Sequence, residues 1–154
     1  MPDGSTARSA CVRTTGVTLD HAAGVYDRLA PLMMLGMEGR FRRIVMERLA
    51  LAGGERVLDI GCGTGSLTIE IAKKLENATR SHVTGVDAAP KMIEVARRKA
   101  AGILRVEFDV EAAECLPYGD GSFDRAVSTF FFHHVSFDLK VRALDEMHRV
   151  LVPG

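Results

Sequence analysis

Val57-Leu58-Asp59-Ile60-Gly61-Cys62-Gly63-Thr64-Gly65-Ser66 is the stretch that decides the fold. A short apolar run ends in three glycines spaced two apart, and Leu67, Ile71 and Leu75 follow at helical spacing. The pattern predicts a strand that turns sharply into a helix. Glycine suits such a turn, because a Cβ would obstruct both the bend and the close approach of a ligand to the backbone. The helix that follows points its first amides at any anion held there. The dinucleotide fingerprint wants its third glycine or alanine at position 66, which is Ser66. Asp59 puts a carboxylate at the strand end, which suits a ligand carrying an ammonium group and repels a pyrophosphate. The other reading of Asp59 is a buried strand-end acid satisfied by loop amides.

Outward from the loop, residues 82–87 form a second apolar strand closed by Asp87, and Pro90 opens a helix carrying Met92, Val95 and Ala96. Residues 103–110 read as a third strand, where Val106, Phe108 and Val110 alternate with Glu107 and Asp109 as at a sheet edge. Residues 125–130 make a fourth. Asp138 is placed to cap a last helix, with Leu144, Met147 and Leu151 on one stripe and Pro153-Gly154 as its stop. Upstream, residues 26–51 are helical in pattern, interrupted at Pro31, Gly36 and Gly39. Phe41, Ile44, Val45 and Leu49 share a face there, and Gly53-Gly54 ends the segment. Residues 1–24 read as a loose arm and residues 25–154 as one domain. Strands alternating with helices give an α/β fold with a parallel sheet and right-handed crossovers. Ligands of such sheets sit beyond the carboxyl ends of the strands, where the glycine loop stands. Asp87, at the second strand's end, can accept from a pair of ribose hydroxyls; the alternative is a turn or helix-capping aspartate.

Composition narrows the field. At 154 residues, 47% hydrophobic and 26% charged, the chain has the balance of a globular domain. Lys and Arg number 20 and Asp and Glu number 20, so nothing in the net charge argues for nucleic acid. Cys11, Cys62 and Cys115 are too few and scattered for a disulfide framework or a metal cluster, and a reducing cytoplasmic setting is the plain reading. No apolar run approaches the roughly 20 residues of a membrane span, and the first residues lack the pattern of a signal peptide.

Four stretches, taken together, resemble a known family. Residues 57–65 resemble the first motif of the class I S-adenosylmethionine-dependent methyltransferases. Gly85-Val86-Asp87-Ala88-Ala89-Pro90-Lys91-Met92 resembles the second. Ala113-Glu114-Cys115-Leu116-Pro117-Tyr118, with Asp120-Gly121-Ser122-Phe123-Asp124 after it, is similar to the family's third stretch. Glu146-Met147-His148-Arg149-Val150-Leu151-Val152-Pro153-Gly154 resembles the Arg-Val-Leu-x-Pro-Gly close of the helix after strand four. Tyr26-Asp27-Arg28-Leu29-Ala30-Pro31 is similar to the opening of the ubiquinone/menaquinone-biosynthesis (UbiE-like) group. The resemblance implies a Rossmann-like, doubly wound parallel sheet of order 3-2-1-4, leading on to strands 5–7 that lie beyond Gly154. It also implies S-adenosyl-L-methionine as cofactor and a small-molecule methyl acceptor: a quinone precursor, a lipid or another metabolite. Asp59 and the loop Gly61-Cys62-Gly63-Thr64 would hold the methionine end. Asp87 and Ala88 would meet the ribose, Met92 would pack near the adenosine, Ala112 and Ala113 would lie at the adenine edge, and Thr129 would lie under the methionine moiety.

Two positions depart from the family pattern. Ala112 stands where an Asp or Asn is usual, at a cost of about 1 kcal/mol for one lost hydrogen bond, for which Asp109 or Glu111 could substitute. Ala89 replaces a helix-capping serine, giving up roughly 0.5–2 kcal/mol.

The sulfonium cofactor brings its own activated methyl group, so the protein has mainly to align and desolvate the acceptor. A hydroxyl acceptor also needs a base, and His133 and His134, after strand four, are the candidates, against a reading as helix-start or packing residues. Phe130, Phe131, Phe132 and Phe137 would either wall an acceptor pocket or, the more ordinary use, fill the core. Cys62 and Cys115 read as small loop residues rather than reactive thiols. The arginines of residues 39–49 could lie on anionic lipid, but Glu38 and Glu47 favour a solvated face. A second reading of function is a non-catalytic S-adenosylmethionine-binding or scaffold domain, since the sequence stops at Gly154 before a fifth strand. On that ground strand four would keep an open edge able to pair with another copy. A nucleotide-dependent oxidoreductase is disfavoured by Ser66 and Asp59.

Overall fold

Arg56–Ile60 (β1) is buried from Val57 onward, as a strand covered on both faces must be. This computed structural model describes residues 38–129 and 131–154; the side chains of Glu38, His133 and His134 lie outside that description. The remaining elements, in chain order, are α1 (Glu38–Leu49), which precedes β1, then α2 (Ser66–Lys74), β2 (His82–Asp87), α3 (Pro90–Lys99), β3 (Val106–Val110), β4 (Arg125–Val127), a 3-10 turn (Phe131–His134) and α4 (Phe137–Val150). The four strands form one sheet in the order β3-β2-β1-β4, with every pairing parallel. Asp59 is in register with Gly85 on one side and Val127 on the other. This is the α/β order expected, and the chain reverses direction across the sheet at β1.

Successive residues of β1 feed opposite cores. Val57 and Val83 pack with Met46 and Leu49 of α1 and with Leu67, Ile71 and Leu75 around α2. Leu58, Ile60 and Val86 face Ala143 and Val150 of α4, with Ala113, Leu116 and Phe123 from the loop before β4. Ile93 and Ala96 of α3 close on Phe108 and Ile69.

Several sequence expectations shift by a residue or more. The buried face of α1 uses Met46 in place of Ile44, which is exposed. β3 starts at Val106 rather than 103, because Gly102 (φ 85°) and Arg105 (φ 61°) are left-handed and break the extended run. β4 ends at Val127 rather than 130, and just beyond it the Ser128 hydroxyl donates to the Ile60 carbonyl at 2.8 Å. The cap position of α4 is Ser136, not Asp138, which lies inside the first turn. Its inward stripe is Ala143, Met147 and Val150, one step round from the expected face, and Leu144 is exposed. Among the described residues β4 pairs with β1 alone. Just before it, Phe123 is bridged in parallel to Leu151, its amide donating to the Val150 carbonyl and the Val152 amide to its own. Tyr26–Pro31 and the arm of residues 1–24 lie outside the described residues.

Candidate functional site

Where β1 gives way to α2, Gly61, Gly63 and Gly65 all take positive φ, at 70°, 54° and 74°. The amides of Gly61 and Cys62 both donate to the Val86 carbonyl, at 2.8 and 3.0 Å, so the loop is stitched to the end of β2. The three glycines serve different ends. A Cβ on Gly61 would lie 2.6 Å from the Phe131 Cβ, and one on Gly65 would lie 2.6 Å from the Phe108 ring. At Gly63 a Cβ would meet nothing within 4 Å. The backbone there faces open space, at the switch in strand order where such sheets bind ligands.

Asp87 joins the two strand ends. Its carboxylate accepts from the Gly63 amide and from the Ala89 amide, each at 2.9 Å. The second bond holds the turn before α3, whose cap position Ala89 offers no side chain, as the sequence indicated. Asp87 is therefore a turn aspartate, and one whose oxygens also lie at the open loop.

Asp59 is 1% exposed. Its Oδ2 accepts from the Thr68 hydroxyl at 2.6 Å, while its Oδ1 is buried with no donor. The alternative in which loop amides satisfy this acid does not hold, since Thr68 of α2 is what reaches it. Burial pushes the carboxyl up to about 6, the Thr68 bond opposes this, and the Asp87 charge adds to it. A buried acceptor without a donor, beside an open backbone cradle, is what a cationic ligand group would complete. Burial, with the Asp59 and Asp87 carboxylates behind it, also pushes the Cys62 thiol well up, so this cysteine is a packing residue rather than a nucleophile.

The other candidates gather round this rim. Ala88 lies beside Asp87, and Met92, 2% exposed, packs with Ala89 and Val95 in the first turns of α3. Ala112 and Ala113 are buried immediately after β3, where the Glu111 amide donates to the Asp87 carbonyl at 3.1 Å. Thr129 is half-buried beyond β4. His133 and His134 lie in the 3-10 turn after β4; Phe130 and both histidine side chains fall outside the described residues. Phe131 and Phe132 pack edge-to-face on each other at the core's margin, with centroids 5.2 Å apart, whereas Phe137 is 77% exposed and does not fill the core. Asp109 is engaged by the Tyr118 hydroxyl at 2.9 Å, so it is not the idle substitute for a side chain at Ala112. Sequence reading missed Thr68, whose one signal was a hydroxyl on the apolar face of α2. It also missed Lys99, whose ammonium bonds Ser66 at 2.7 Å and Thr64 at 3.2 Å.

Residues 57–154 match the model of a methyltransferase domain family. The chain belongs to that family. The chain is 37% identical over 132 residues to the ubiquinone/menaquinone biosynthesis C-methyltransferase UbiE of Geobacter sp. (strain M21), covering 84% of this chain and 54% of that protein. It is 38% identical to the demethylmenaquinone methyltransferase of Thermus thermophilus, over 84% of this chain and 57% of that one. A SAM-dependent methyltransferase structure from Methanosarcina mazei superposes with a TM-score of 0.62 at 34% identity, covering 71% of this chain and 53% of the other. The methyltransferase domain thus spans about half the length of the curated relatives it matches. Among its described residues no helix is long and apolar enough to cross a membrane, and no group of three or more His, Cys, Asp or Glu is placed to hold a metal ion.

Proposed function

We propose that this methyltransferase domain binds S-adenosyl-L-methionine across the carboxyl ends of β1 and β2 and serves methyl transfer to a small apolar acceptor, a quinone precursor. The observation that carries the reading is the buried, donorless Oδ1 of Asp59 beside the open backbone of Gly63. That pairing suits a ligand with an ammonium group and rejects a pyrophosphate. In this reading Asp59 and the backbone of Gly61, Cys62, Gly63 and Thr64 hold the methionine end, with Thr129 beneath it. Asp87 and Ala88 take the ribose, Met92 supports the adenosine, and Ala112 and Ala113 border the adenine. The quinone ring as acceptor is supported by the names of the relatives at 37–38% identity.

The cofactor supplies an activated methyl group. The chain's task is then to hold the acceptor in line and keep water away, which can contribute about 7–11 kcal/mol. Methylation of a ring carbon or a hydroxyl leaves one proton to remove. His133 or His134, in the turn beyond β4, is assigned that proton. Calorimetry with S-adenosylmethionine and with NAD, followed by turnover of labelled cofactor on reduced benzoquinone and naphthoquinone rings, tests the proposal. Binding of the sulfonium ligand alone, with label on a ring carbon, is expected. Preference for NAD overturns the cofactor reading, and label transfer only to unrelated acceptors overturns the quinone. Replacing the base by alanine should lower turnover without changing cofactor affinity.

A further inference from the structure

The Glu146–Gly154 segment resembles the family pattern, yet none of its side chains enters the site described above. Arg149, in the last turn of α4, nevertheless makes more polar contacts than a helix-end arginine needs. Its Nε donates to Glu146 Oε1 at 2.7 Å and its Nη2 to Oε2 at 2.8 Å, a forked pair. The same guanidinium donates to the carbonyls of Tyr118 at 2.8 Å and Leu116 at 3.1 Å, and to Asp120 at 2.8 Å. Glu146 in turn accepts from the Leu116 amide at 2.8 Å. The pair therefore grips both the amide and the carbonyl of Leu116, and the loop again two residues on. The hydrogen bond to Glu146, with Asp120 behind it, raises the guanidinium's already high pKa, so the charge is fixed.

What is gripped matters. Residues 111–124 join β3 to β4 with neither helix nor ladder of their own. The Glu111 amide on the Asp87 carbonyl tethers the loop's near end, and the Cys115 amide on the Ala112 carbonyl closes a turn within it. Leu116, 3% exposed, plugs into the core beside Ala113. With Leu116 clamped from α4 and Glu111 tied to β2, the backbone at Ala112 and Ala113 is fixed from both sides. No side chain at 112 can adjust for a misplaced ligand, so recognition there falls to the position of that backbone.

We propose that Arg149, with Glu146, is a positioning residue for adenine: it sets the backbone of residues 112–113 against the base edge without touching it. This rests on the cofactor reading given above. The test compares two ligands that differ only at that edge, S-adenosylhomocysteine and its inosine counterpart. Arg149→Met should raise the dissociation constant for the adenine ligand tenfold or more and leave the inosine ligand within threefold, collapsing the selectivity between them. Arg149→Lys, which keeps the charge but not the fork, should fall between. A general loss of stability would weaken both ligands alike and leave their ratio unchanged. If Arg149→Met does not fold, Glu146→Gln carries the same comparison with a smaller loss of selectivity expected. A parent chain that binds neither ligand overturns the cofactor reading, and this inference with it. A parent that prefers adenine, with that preference intact in the variants, overturns the clamp alone.

Discussion

Asp59 makes the affinity of this site depend on pH in a direction that can be worked out beforehand. In the free protein its carboxyl is raised to about 6, chiefly by burial. If a ligand ammonium reaches Oδ1, the carboxylate gains the partner it lacks and its pKa returns toward the ordinary value of about 3.9. Binding then expels a proton wherever the free protein still holds one, below about pH 6. The dissociation constant for S-adenosylhomocysteine should fall roughly tenfold from pH 5 to pH 7 and be level just above that. Measurements are best kept below about pH 7.5, clear of the titration of the ligand's own amine. The raised carboxyl has a counterpart in stability. The folded state binds this proton more tightly than the unfolded chain, so the contribution is complete below about pH 4 and lost as pH rises through about 6. The gap between an unfolded value of about 3.9 and a folded one of about 6 is worth ~3 kcal/mol by pH 7. Asp59→Asn should remove both effects, giving a flat affinity profile and a melting temperature less sensitive to pH. Calorimetry in buffers of differing ionisation enthalpy counts the released proton directly. A parent with no slope between pH 5 and 7, or an Asp59→Asn chain that keeps it, would refute the placement of the ammonium.

Other expectations follow from single contacts. Asp87→Ala should weaken cofactor binding by about 1.5–3 kcal/mol through lost charge-assisted bonds, and an unchanged dissociation constant in calorimetry would sink its ribose role. Gly63→Ala should fold with only the ~1–2 kcal/mol strain of a left-handed alanine yet bind poorly, whereas Gly61→Ala should lose stability as well, since its Cβ would meet Phe131 at 2.6 Å; equal melting temperatures for the two would contradict this division. Ala112→Asp should tighten binding by about 1 kcal/mol if the adenine amino group lies there; weaker binding at unchanged melting temperature would move the adenine elsewhere.

The strand order and the loop were legible because each rested on a local rule: three glycines at fixed spacing, and apolar runs of strand length alternating with helical ones. The errors came where tertiary contacts outvoted local pattern. Leu144 and Met147 fit a helical stripe as well as Ala143 and Met147 do, and only the sheet decides that Ala143 faces inward. Asp138 is a good capping residue, but the backbone is already helical from Phe137, so the cap position falls to Ser136. Asp59 was recognised by its place in the motif, while its environment was not, because Thr68 meets it from an element nine residues on. Arg149 carried a sequence signal with no meaning attached until its partners, some thirty residues back, were known.

Phe108 bears on how the glycine loop behaves in time. Its ring, on the edge strand, would collide with a Cβ at Gly65 or at Gly85, so both backbones rest directly on one aromatic plate. Tied at Gly61 and Cys62 to the Val86 carbonyl and backed at Gly65 by this ring, the loop has little freedom to shift before anything binds. The ordering entropy that a floppy loop would surrender at the moment of capture has already been given up on folding. Shaving that plate, as Phe108→Leu would, should slow ligand arrival less than it hastens departure, because the seat rather than the doorway is what loosens.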